Sequence, residues 1–456
     1  MARSVGLDVH KHSIEVCALD DKGKVVYRGR TGCLRPELEA FARAHLEETD
    51  RVALEATTNT WAVVDVLRPF VAELVVGNPL KTRAIAEARV KTDKVDAEVL
   101  AQLLRCDYLP TVWQPDEPAQ RLRALLTHRE ALVCQRSRSK NHVQCLIARL
   151  LLQPPCKVLW TKAGTAWLKG LELPAHARLM LDSELRQIGA VDTELTVIDA
   201  ELVTMTRADA RVRLLMAIPG VNYVVALGLL AALGDVGRFR DGDHAASYLG
   251  LVPSTKQSGR KCYHGPITAA GSPQARGLLT QAAQHASRHP GPIGAFFRRL
   301  VKRKSRAVAI TAVGRKLATI AYLMLKNNEP YRYARPELMR EKFAKLRGTG
   351  PSPDDGTPTP GRRVKAGAGL EEVYRAAGLP PVTPPEGLPV GERRRLEERE
   401  LEGFIRDVYR ASGPDAGAHR AEPLGGTPPR SSKSPQPPGR PAGRPGCTFC
   451  LSIGRP

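Results

Sequence analysis

Alternating strand and helix patterns fill the first hundred residues and constrain the fold more than any other feature. The stretch "SVGLDVH", followed by "SIEVCALDD" and "KVVYRGR" around the turn "DDKGK", predicts three successive strands, two of them a hairpin. Two further strand patterns, "RVALEAT" and "AELVVGN", alternate with helical patterns such as "PELEAFARAHLEE". The stretch "TRAIAEARVKTDKVDAEVLAQLLR" closes the region as one or two helices. This alternation indicates an α/β domain over residues 1–112, with helices on the faces of its sheet.

Two long helical patterns follow in residues 113–213. The first, "EPAQRLRALLTHREALVCQRSRSKNHVQCLIARLL", is basic, and the second, "SELRQIGAVDTELTVIDAELVTMTR", is acidic with a roughly heptad-like apolar spacing. Such helices form either an antiparallel arm or a dimerising coiled coil. A plain helical bundle is an equally good interpretation.

Residues 214–347 have the pattern of a compact, mainly α unit with Gly-rich turns. Within it, "IPGV" separates two helical runs, which is typical of a helix-hairpin-helix whose exposed backbone N–H groups receive DNA phosphates. A simple Pro-Gly turn between helices is the alternative.

The composition changes near residue 350. Residues 351–456 hold 19 of the 36 prolines and 16 of the 39 glycines, with few apolar residues. We expect residues 348–456 to be a largely disordered tail. Only "EEVYRAAGL" and "RRRLEERELEGFIRDVYR" have helical patterns there, as isolated helices.

Positive charge is concentrated in the middle of the chain. Residues 111–350 carry 37 Lys and Arg against 17 Asp and Glu, whereas residues 1–110 carry 16 against 17. A basic region of this kind is the electrostatic footprint of a polyanion binder. The middle of the chain is therefore expected to bind nucleic acid.

Cysteine usage and the N-terminus point away from secretion and from the membrane. Nine scattered cysteines, an odd number without a paired framework, indicate reduced thiols in a cytoplasm. The start has no signal-peptide core, and no apolar run reaches membrane-spanning length.

Four carboxylates suggest a metal site. Asp93 and Asp96 lie three apart on one helix face, about 5–6 Å apart at Cβ. Taken alone, they are more simply charges that complement the helix dipole. Asp8, however, lies within the first strand and Glu55 ends a later one. An RNase H-like sheet uses such a set to hold two divalent ions for phosphoryl transfer, and all-oxygen ligands suit Mg²⁺.

A second cluster surrounds Ser258. It precedes Gly259 in a loop that carries Lys256, Arg260 and Lys261, with Arg276 further on. A serine in a Gly-rich loop is usually turn chemistry. Here the cations could hold a phosphodiester while the hydroxyl attacks phosphorus to form a covalent intermediate.

The motifs "GLDVHK", "LEAT", "KTDKVDAEVLA", "IPGV", "YLGLVP" and "QSG", in this order, resemble the DEDD transposases of insertion sequences of the group numbered 110/1111. The resemblance covers roughly residues 4–345. It implies a RuvC-like domain, a coiled-coil arm and a C-terminal transposase domain.

The resemblance also implies roles for residues and partners. The family's acidic quartet corresponds to Asp8, Glu55, Asp93 and Asp96, and its catalytic serine to Ser258. Some members have Ser-Ser-Gly where this chain has Gln257-Ser258-Gly259, which leaves Ser258 as the candidate. The implied activity is recombination of donor and target DNA, guided by a bridge RNA, through a 5′-phosphoserine link. The implied assembly is a dimer that forms a tetramer, in which carboxylates of one subunit face the serine of another, in the bacterial cytoplasm at the nucleoid.

If RNA recognises the sequence, the protein needs mainly contacts to the phosphate backbone of the nucleic acids. The residues predicted to contact nucleic acid are Arg129, Arg136, Lys140, Gly220, Lys256, Arg260, Lys261, Arg276, Arg298, Arg299, Lys302 and Arg303. Two other functions remain open: a Holliday-junction resolvase in which water attacks, which needs the carboxylates but not Ser258, and an inactive DNA-binding remnant.

Overall fold

A five-stranded sheet forms the N-terminal part of the computed structural model, which describes residues 2–85, 92–259, 261–348 and 367–409. Its strand order is β3-β2-β1-β4-β5, with β1 antiparallel to β2 and parallel to β4. The strands are β1 (Ser4–Val9), β2 (Ser13–Leu19), β3 (Val25–Gly32), β4 (Arg51–Glu55) and β5 (Glu73–Gly77). The predicted hairpin and mixed α/β class are confirmed, and the arrangement is consistent with an RNase H-like domain.

Helices cover both faces of this sheet. They are α1 (Arg35–His45), α2 (Thr60–Leu67), α3 (Pro79–Ile85) and α4 (Asp93–Arg105), and a 3-10 turn, Arg68–Phe70, follows α2. Leu7 and Leu54 face the side covered by α1 and α2, whereas Ala53 packs with Leu100 of α4 on the other side. This division follows from the strand period of two, because neighbouring residues point to opposite faces.

Close contact between β1 and α4 depends on small residues. A Cβ atom on Gly6 would lie 2.0 Å from the carbonyl oxygen of Ala97 and 2.6 Å from the backbone nitrogen of Ala101. Ala97 and Ala101 are themselves fully buried. The helix backbone therefore lies directly on the strand, which no larger residue at position 6 would allow.

Two long helices form an antiparallel pair in the middle of the chain. The elements here are α5 (Glu117–Arg149), α6 (Lys162–Gly170) and α7 (Ala175–Ala208). The Arg121–Glu201 ion pair joins the start of α5 to the end of α7, and a contact of 2.9 Å between Nδ1 of His142 and Oε1 of Glu184 joins the end of α5 to the start of α7. The sequence left open an antiparallel arm, a dimerising coiled coil and a plain helical bundle. In the structure, the two helices of one chain pack antiparallel on each other.

The C-terminal part is a helical unit with one small hairpin. Its elements are α8 (Ala210–Met216), α9 (Tyr223–Leu233), the 3-10 turn Val236–Arg238, α10 (Gly242–Tyr248), β6 (Pro253–Ser258), β7 (Lys261–Ile267), α11 (Pro273–Ala286), α12 (Pro292–Val301), α13 (Arg306–Asn327) and α14 (Pro336–Gly348). In the described part of the chain, α13 is the one helix long and apolar enough to cross a membrane. It packs against α8, α10, α11 and α12, so it is a core helix of this unit.

The expectation of a largely disordered tail is wrong for residues 367–409. They form α15 (Leu370–Ala376), the 3-10 turn Pro385–Gly387, α16 (Val390–Glu397) and α17 (Glu402–Tyr409). The predicted helices are present, but they are not isolated, since Leu370, Tyr374 and Leu396 are buried in the same apolar core as the preceding helices. The rest of the predicted tail, residues 349–366 and 410–456, lies outside the described residues.

Hydrogen bonds fix this C-terminal segment to the chain before it. The Tyr374 hydroxyl donates to the carbonyl of Tyr331 at 2.7 Å, and the Tyr409 hydroxyl donates to the carbonyl of Arg332 at 3.0 Å. The Arg332 guanidinium lies 3.1 Å from a Glu392 carboxylate oxygen. Apolar burial together with satisfied polar groups explains why a Pro-rich composition still gives an ordered segment.

Candidate active site

Three side chains of metal-ligand type meet at the end of β1. Nε2 of His10 lies 3.0 Å from Oδ2 of Asp8 and 3.2 Å from Oδ2 of Asp93. Their donor atoms all lie within 4.8 Å of one another. Two carboxylates of the predicted quartet, far apart in sequence, are therefore brought to one point.

The sheet and α4 together place these groups. Asp8 lies two residues after Gly6, so both face α4. Asp93 lies one helical turn before Ala97, the residue against which Gly6 packs. Because α4 runs antiparallel to β1, its first turn arrives beside Asp8. Thr92 caps this turn, its side chain accepting a hydrogen bond from the backbone N–H of Val95.

Glu55 lies at the same edge of the sheet. Its strand, β4, pairs in parallel with β1, with Leu54 beside Leu7. Asp8 and Glu55 are the next residues along each strand, and Glu55 faces α4 because Ala53, two residues earlier, does so. The acidic side chains of β1, β4 and α4 thus belong to one edge and one face.

The electrostatics of Asp8 reflect this crowding. Its side chain is 17% exposed. Burial raises the pKa of the Asp8 carboxyl above its usual value, the charge of His10 lowers it, and the negative charges of Asp96 and Asp93 raise it further. Asp96 is thereby placed close enough to Asp8 to act on it.

The donor set fits a divalent cation. Oxygens of Asp8 and Asp93 come together beside His10, and Glu55 lies at the same edge of the sheet. Such a cluster favours a bound cation, and oxygen ligands suit Mg²⁺. The imidazole of His10 adds a nitrogen that is also acceptable to softer divalent ions.

Sequence reasoning overlooked His10 and Glu15. His10 is part of the quoted motif "GLDVHK". Its position two residues after Asp8 was the sequence feature that could have identified it. Glu15 is the direct cross-strand partner of Asp8, and its Oε1 lies 3.3 Å from Nε of Arg30. The pairing of β1 with β2 places Glu15 beside Asp8, and the sequence alone did not specify which residues of the two strands pair.

Ser258 lies at the end of an exposed hairpin. Pairing of β6 with β7 sets Ser258 opposite Lys261 and Lys256 opposite Tyr263. Cross-strand partners and residues two apart share a face, so these four side chains lie together. Tyr263 is 65% exposed. One face of the hairpin therefore offers a hydroxyl, two cations and an aromatic ring to solvent.

The single chain does not link this serine to the carboxylates. Within the described residues, the Ser258 side chain has no hydrogen-bond or ion-pair partner. The predicted Arg260 lies outside the described residues. Asp8, Asp93 and His10 form one cluster, and Ser258 belongs to another.

The predicted nucleic-acid contacts divide into two groups. Five make contacts within the chain: Arg129 pairs with Asp199, Arg136 pairs with Asp192, Lys140 lies over the Trp160 ring, Arg276 donates to backbone carbonyls including that of Gly271, and Arg298 donates to the carbonyl of Pro290. Four others, Lys256, Lys261, Lys302 and Arg303, are exposed to solvent, and Arg299 is exposed but lies over the Phe296 ring at 5.6 Å. Contact of these exposed cations with phosphates stays a prediction.

The "IPGV" turn joins α8 to α9 and is held by packing, and the contact of its backbone N–H groups with DNA phosphates stays a prediction. Ile218 and Val221 are fully buried. Gly220, with φ of +83°, lies against α11, where a Cβ atom would come 2.3 Å from the carbonyl oxygen of Ala282. The ammonium of Lys342 donates at 3.0 Å to the carbonyls of Met216, Ile218 and Val221. The turn is a packing element between α8 and α9.

Comparison with known proteins gives a consistent result for both halves. Residues 5–151 match a DEDD family described as transposase, and residues 212–298 match the transposase IS116/IS110/IS902 family. A protein of Sinorhizobium fredii named as a transposase, y4qE, is 30% identical over 64% of this chain and 73% of its own length.

Two further relatives cover more of the chain. The transposase for insertion sequence element IS1111A of Coxiella burnetii is 26% identical over 72% of this chain and 91% of its own length. The pilin gene-inverting protein of Moraxella bovis is 27% identical over 72% of this chain and 97% of its own length. The chain therefore belongs to the IS116/IS110/IS902 family of DEDD transposases and is a DNA transposase or recombinase.

Proposed function

We propose that this transposase cuts and rejoins DNA through a serine intermediate, with divalent metal, and with its specificity set by a guide RNA. The observation that carries the proposal is the pair of complementary clusters. Asp8 and Asp93 lie together with Glu55 at the same edge, and Ser258 lies on an exposed cationic face. Neither cluster alone is a complete site for strand exchange.

The carboxylates would hold Mg²⁺. Asp8, Glu55, Asp93 and Asp96 supply the oxygen ligands, and His10 stands between two of them. A divalent cation here would supply positive charge against the charge that develops on the phosphate oxygens. The imidazole of His10, 3.0 Å from Asp8, would hold that carboxylate in place beside the cation.

The serine step exchanges one phosphodiester bond for another, so it needs no added energy source. The Ser258 oxygen bonds to phosphorus, the bond to the 3′-oxygen breaks, and the hydroxyl proton is transferred so that the DNA end leaves as a 3′-hydroxyl. The result is a 5′-phosphoserine link. A 3′-hydroxyl of the exchanged strand then attacks phosphorus and releases Ser258. Lys256 and Lys261, on the same face, neutralise the phosphate during both steps.

Separation of the two clusters supports a site shared between subunits. The hairpin exposes Ser258 to solvent, where a second copy can present its own carboxylates. A dimer that forms a tetramer around donor and target DNA gives each serine such a partner. A guide RNA fits the abundance of exposed Lys and Arg, which bind backbone phosphates without reading sequence.

The test is a trapping assay on purified protein with Mg²⁺ and end-labelled DNA that carries the element's junction, with and without RNA from the flanking region. Wild type should give a denaturation-resistant protein–DNA adduct that Ser258→Ala abolishes. Ser254→Ala, on the same strand, is the matched control and should keep the adduct. Loss of the adduct without RNA would support guidance.

A hydrolytic reaction is the second candidate, because among the described residues no contact joins Ser258 to the carboxylates. Free cleaved ends, without an adduct and unchanged in Ser258→Ala, would identify attack by water. The serine mechanism would then be wrong.

A further inference from the structure

A groove lies where the C-terminal segment meets the helical unit. It runs between α12, α13 and α16 and has a volume of about 510 Å³. That volume falls within the range of ligand sites in proteins, roughly 300–1,000 Å³. The groove lies apart from both clusters described above, and its α16 wall comes from the segment expected to be disordered.

The floor of the groove is apolar and partly open to solvent. Phe296, Ile320, Leu323 and Met324 line it. Leu323 is 46% exposed although it lies on the core helix α13. An exposed apolar floor with an aromatic ring is typical of a surface that receives a flat, partly apolar group.

The rim of the groove is cationic. Five cations line it against two carboxylates, Glu329 and Glu392. Both carboxylates are already held by Arg332, at 2.7 and 3.1 Å. The other four cations, Arg299, Lys316, Arg395 and Arg399, form no ion pair within the described parts of the chain. The rim therefore carries uncompensated positive charge around an apolar floor.

The spacing of α16 sorts its charges toward this groove. Glu392, Arg395 and Leu396 lie at three- and four-residue spacing on one face of α16 and line the groove, as does Arg399, which follows the end of the helix. Arg394 lies off that face and pairs with Glu398 at 3.1 Å. Leu396 anchors the helix in the core. The segment thus presents two unpaired cations, Arg395 and Arg399, to the groove, while its Glu392 there is paired with Arg332.

Aromatic and cationic groups also meet inside the groove. The Arg299 guanidinium lies 5.6 Å from the centre of the Phe296 ring. An aromatic platform beside an arginine is the arrangement that stacks unpaired bases, because every base has an apolar π-face and a flanking phosphate. A duplex keeps its bases stacked inside and cannot use such a floor.

We propose that this groove binds an unpaired strand of nucleic acid. A base lies against Phe296 and Leu323, and the flanking phosphates lie on Arg299, Lys316, Arg395 and Arg399. The inference rests on the proposed function in that the strand belongs to the nucleic acids this enzyme handles. It gives the C-terminal segment a role as one wall of a binding site.

The test uses the full chain and labelled oligonucleotides of dT and of rU, with binding followed by fluorescence anisotropy over a range of salt concentrations. Arg395→Glu and Arg399→Glu should each weaken binding about tenfold and reduce the salt slope by roughly 0.7. Arg393→Glu, on the same helix but off the groove, is the matched control and should bind like wild type. Comparison of the dT and rU arms shows whether DNA or RNA is preferred.

Two further variants keep the inference testable if changes in α16 loosen the segment. Lys316→Gln, on α13, should also weaken binding, and Phe296→Leu should weaken it roughly tenfold through lost stacking. Equal affinities for Arg395→Glu, Lys316→Gln and Arg393→Glu would overturn the inference. So would equal competition by polyglutamate of the same charge, which would show that the groove binds anionic peptide.

Asp8→Asn separates this inference from the proposed function. That variant should lose DNA cleavage yet bind the oligonucleotides with unchanged affinity. If wild type forms no serine adduct but the groove variants still lose binding, the proposed function fails and the groove stands.

Discussion

The carbonyl oxygen of Ala97 lies 2.0 Å from the point where a side chain on Gly6 would begin. This contact holds the first turn of α4 beside Asp8. Gly6→Ala should push α4 off the sheet and lower the free energy of unfolding by about 3 kcal/mol. Urea denaturation measures the loss, and metal binding should weaken with it.

A matched control for Gly6→Ala lies on α7. Gly189 has no atom within 4 Å of an added Cβ. Gly189→Ala should therefore stabilise the protein by roughly 0.5–1 kcal/mol, since alanine is the better helix former. Equal effects of the two substitutions would show that α4 is not held by this contact.

Asp8→Asn should affect metal binding and apo stability in opposite directions. Removing one carboxylate should lower the affinity for Mg²⁺ or Mn²⁺ about 100-fold, as measured by calorimetry. Because the pKa of Asp8 is raised in the folded protein, its charge destabilises the fold, and the metal-free variant should be no less stable than wild type. Glu98→Gln is the control: it removes a carboxylate of α4 paired with Arg28 and should leave metal affinity unchanged.

Lys342 is expected to be a structural residue of the "IPGV" turn. Its ammonium satisfies three backbone carbonyls, so Lys342→Met should lower the free energy of unfolding by about 3 kcal/mol. Glu341→Gln, at an exposed residue of the same helix, should change it by less than about 0.5 kcal/mol. Similar thermal denaturation curves for both variants would contradict this role.

His289 should make the protein sensitive to acid. Burial, aided by the charges of Arg335, Lys342 and Arg298, lowers the pKa of His289 to about 4. In the unfolded chain the pKa of this histidine is near 6.5, so between about pH 6.5 and pH 4 the unfolded chain binds a proton that the folded protein does not. The free energy of unfolding is therefore highest above about pH 6.5 and falls as the pH drops toward 4. The loss should reach about 3 kcal/mol.

His289→Asn should flatten this pH dependence, because asparagine keeps an acceptor for the Gly291 backbone N–H but does not titrate. His285→Asn, at an exposed histidine of α11, should leave the dependence as in wild type. Chemical denaturation at pH 4.5 and pH 7 measures both. An unchanged slope in His289→Asn would assign the acid sensitivity to other groups.

The C-terminal segment should be required for stability. A chain that ends after residue 366 loses the buried Tyr374 and uncovers Tyr331 and Tyr333. Since truncating one buried aromatic residue costs about 3–5 kcal/mol, this chain should lose at least that much. A chain that ends after residue 409, which keeps Tyr374, should melt at a higher temperature than the shorter chain. Equal melting of the two truncated chains would show that the segment adds nothing to the fold.

The local patterns of the sequence predicted the elements well, but not their packing. The strands around Asp8 and Glu55 and the helix after Asp93 follow from short-range periodicity, whereas their common edge was expected from the likeness of the four carboxylates to an RNase H-like set. The contacts of Arg129 and Arg136 with α7 depend on which helix packs beside α5, and sequence periodicity does not specify that. The Pro-rich composition misled the expectation for residues 367–409, because a few well-placed residues such as Tyr374 and Leu396 outweigh an average.

The antiparallel pair of α5 and α7 fixes the distance between its two ends. A helix of 33 residues extends about 50 Å at 1.5 Å per residue, and cross-helix ion pairs such as Arg129–Asp199 hold the two helices in one register. Any two contacts made at its ends are kept about 50 Å apart, which equals roughly 15 base pairs of duplex at 3.4 Å per step. The arm is a ruler.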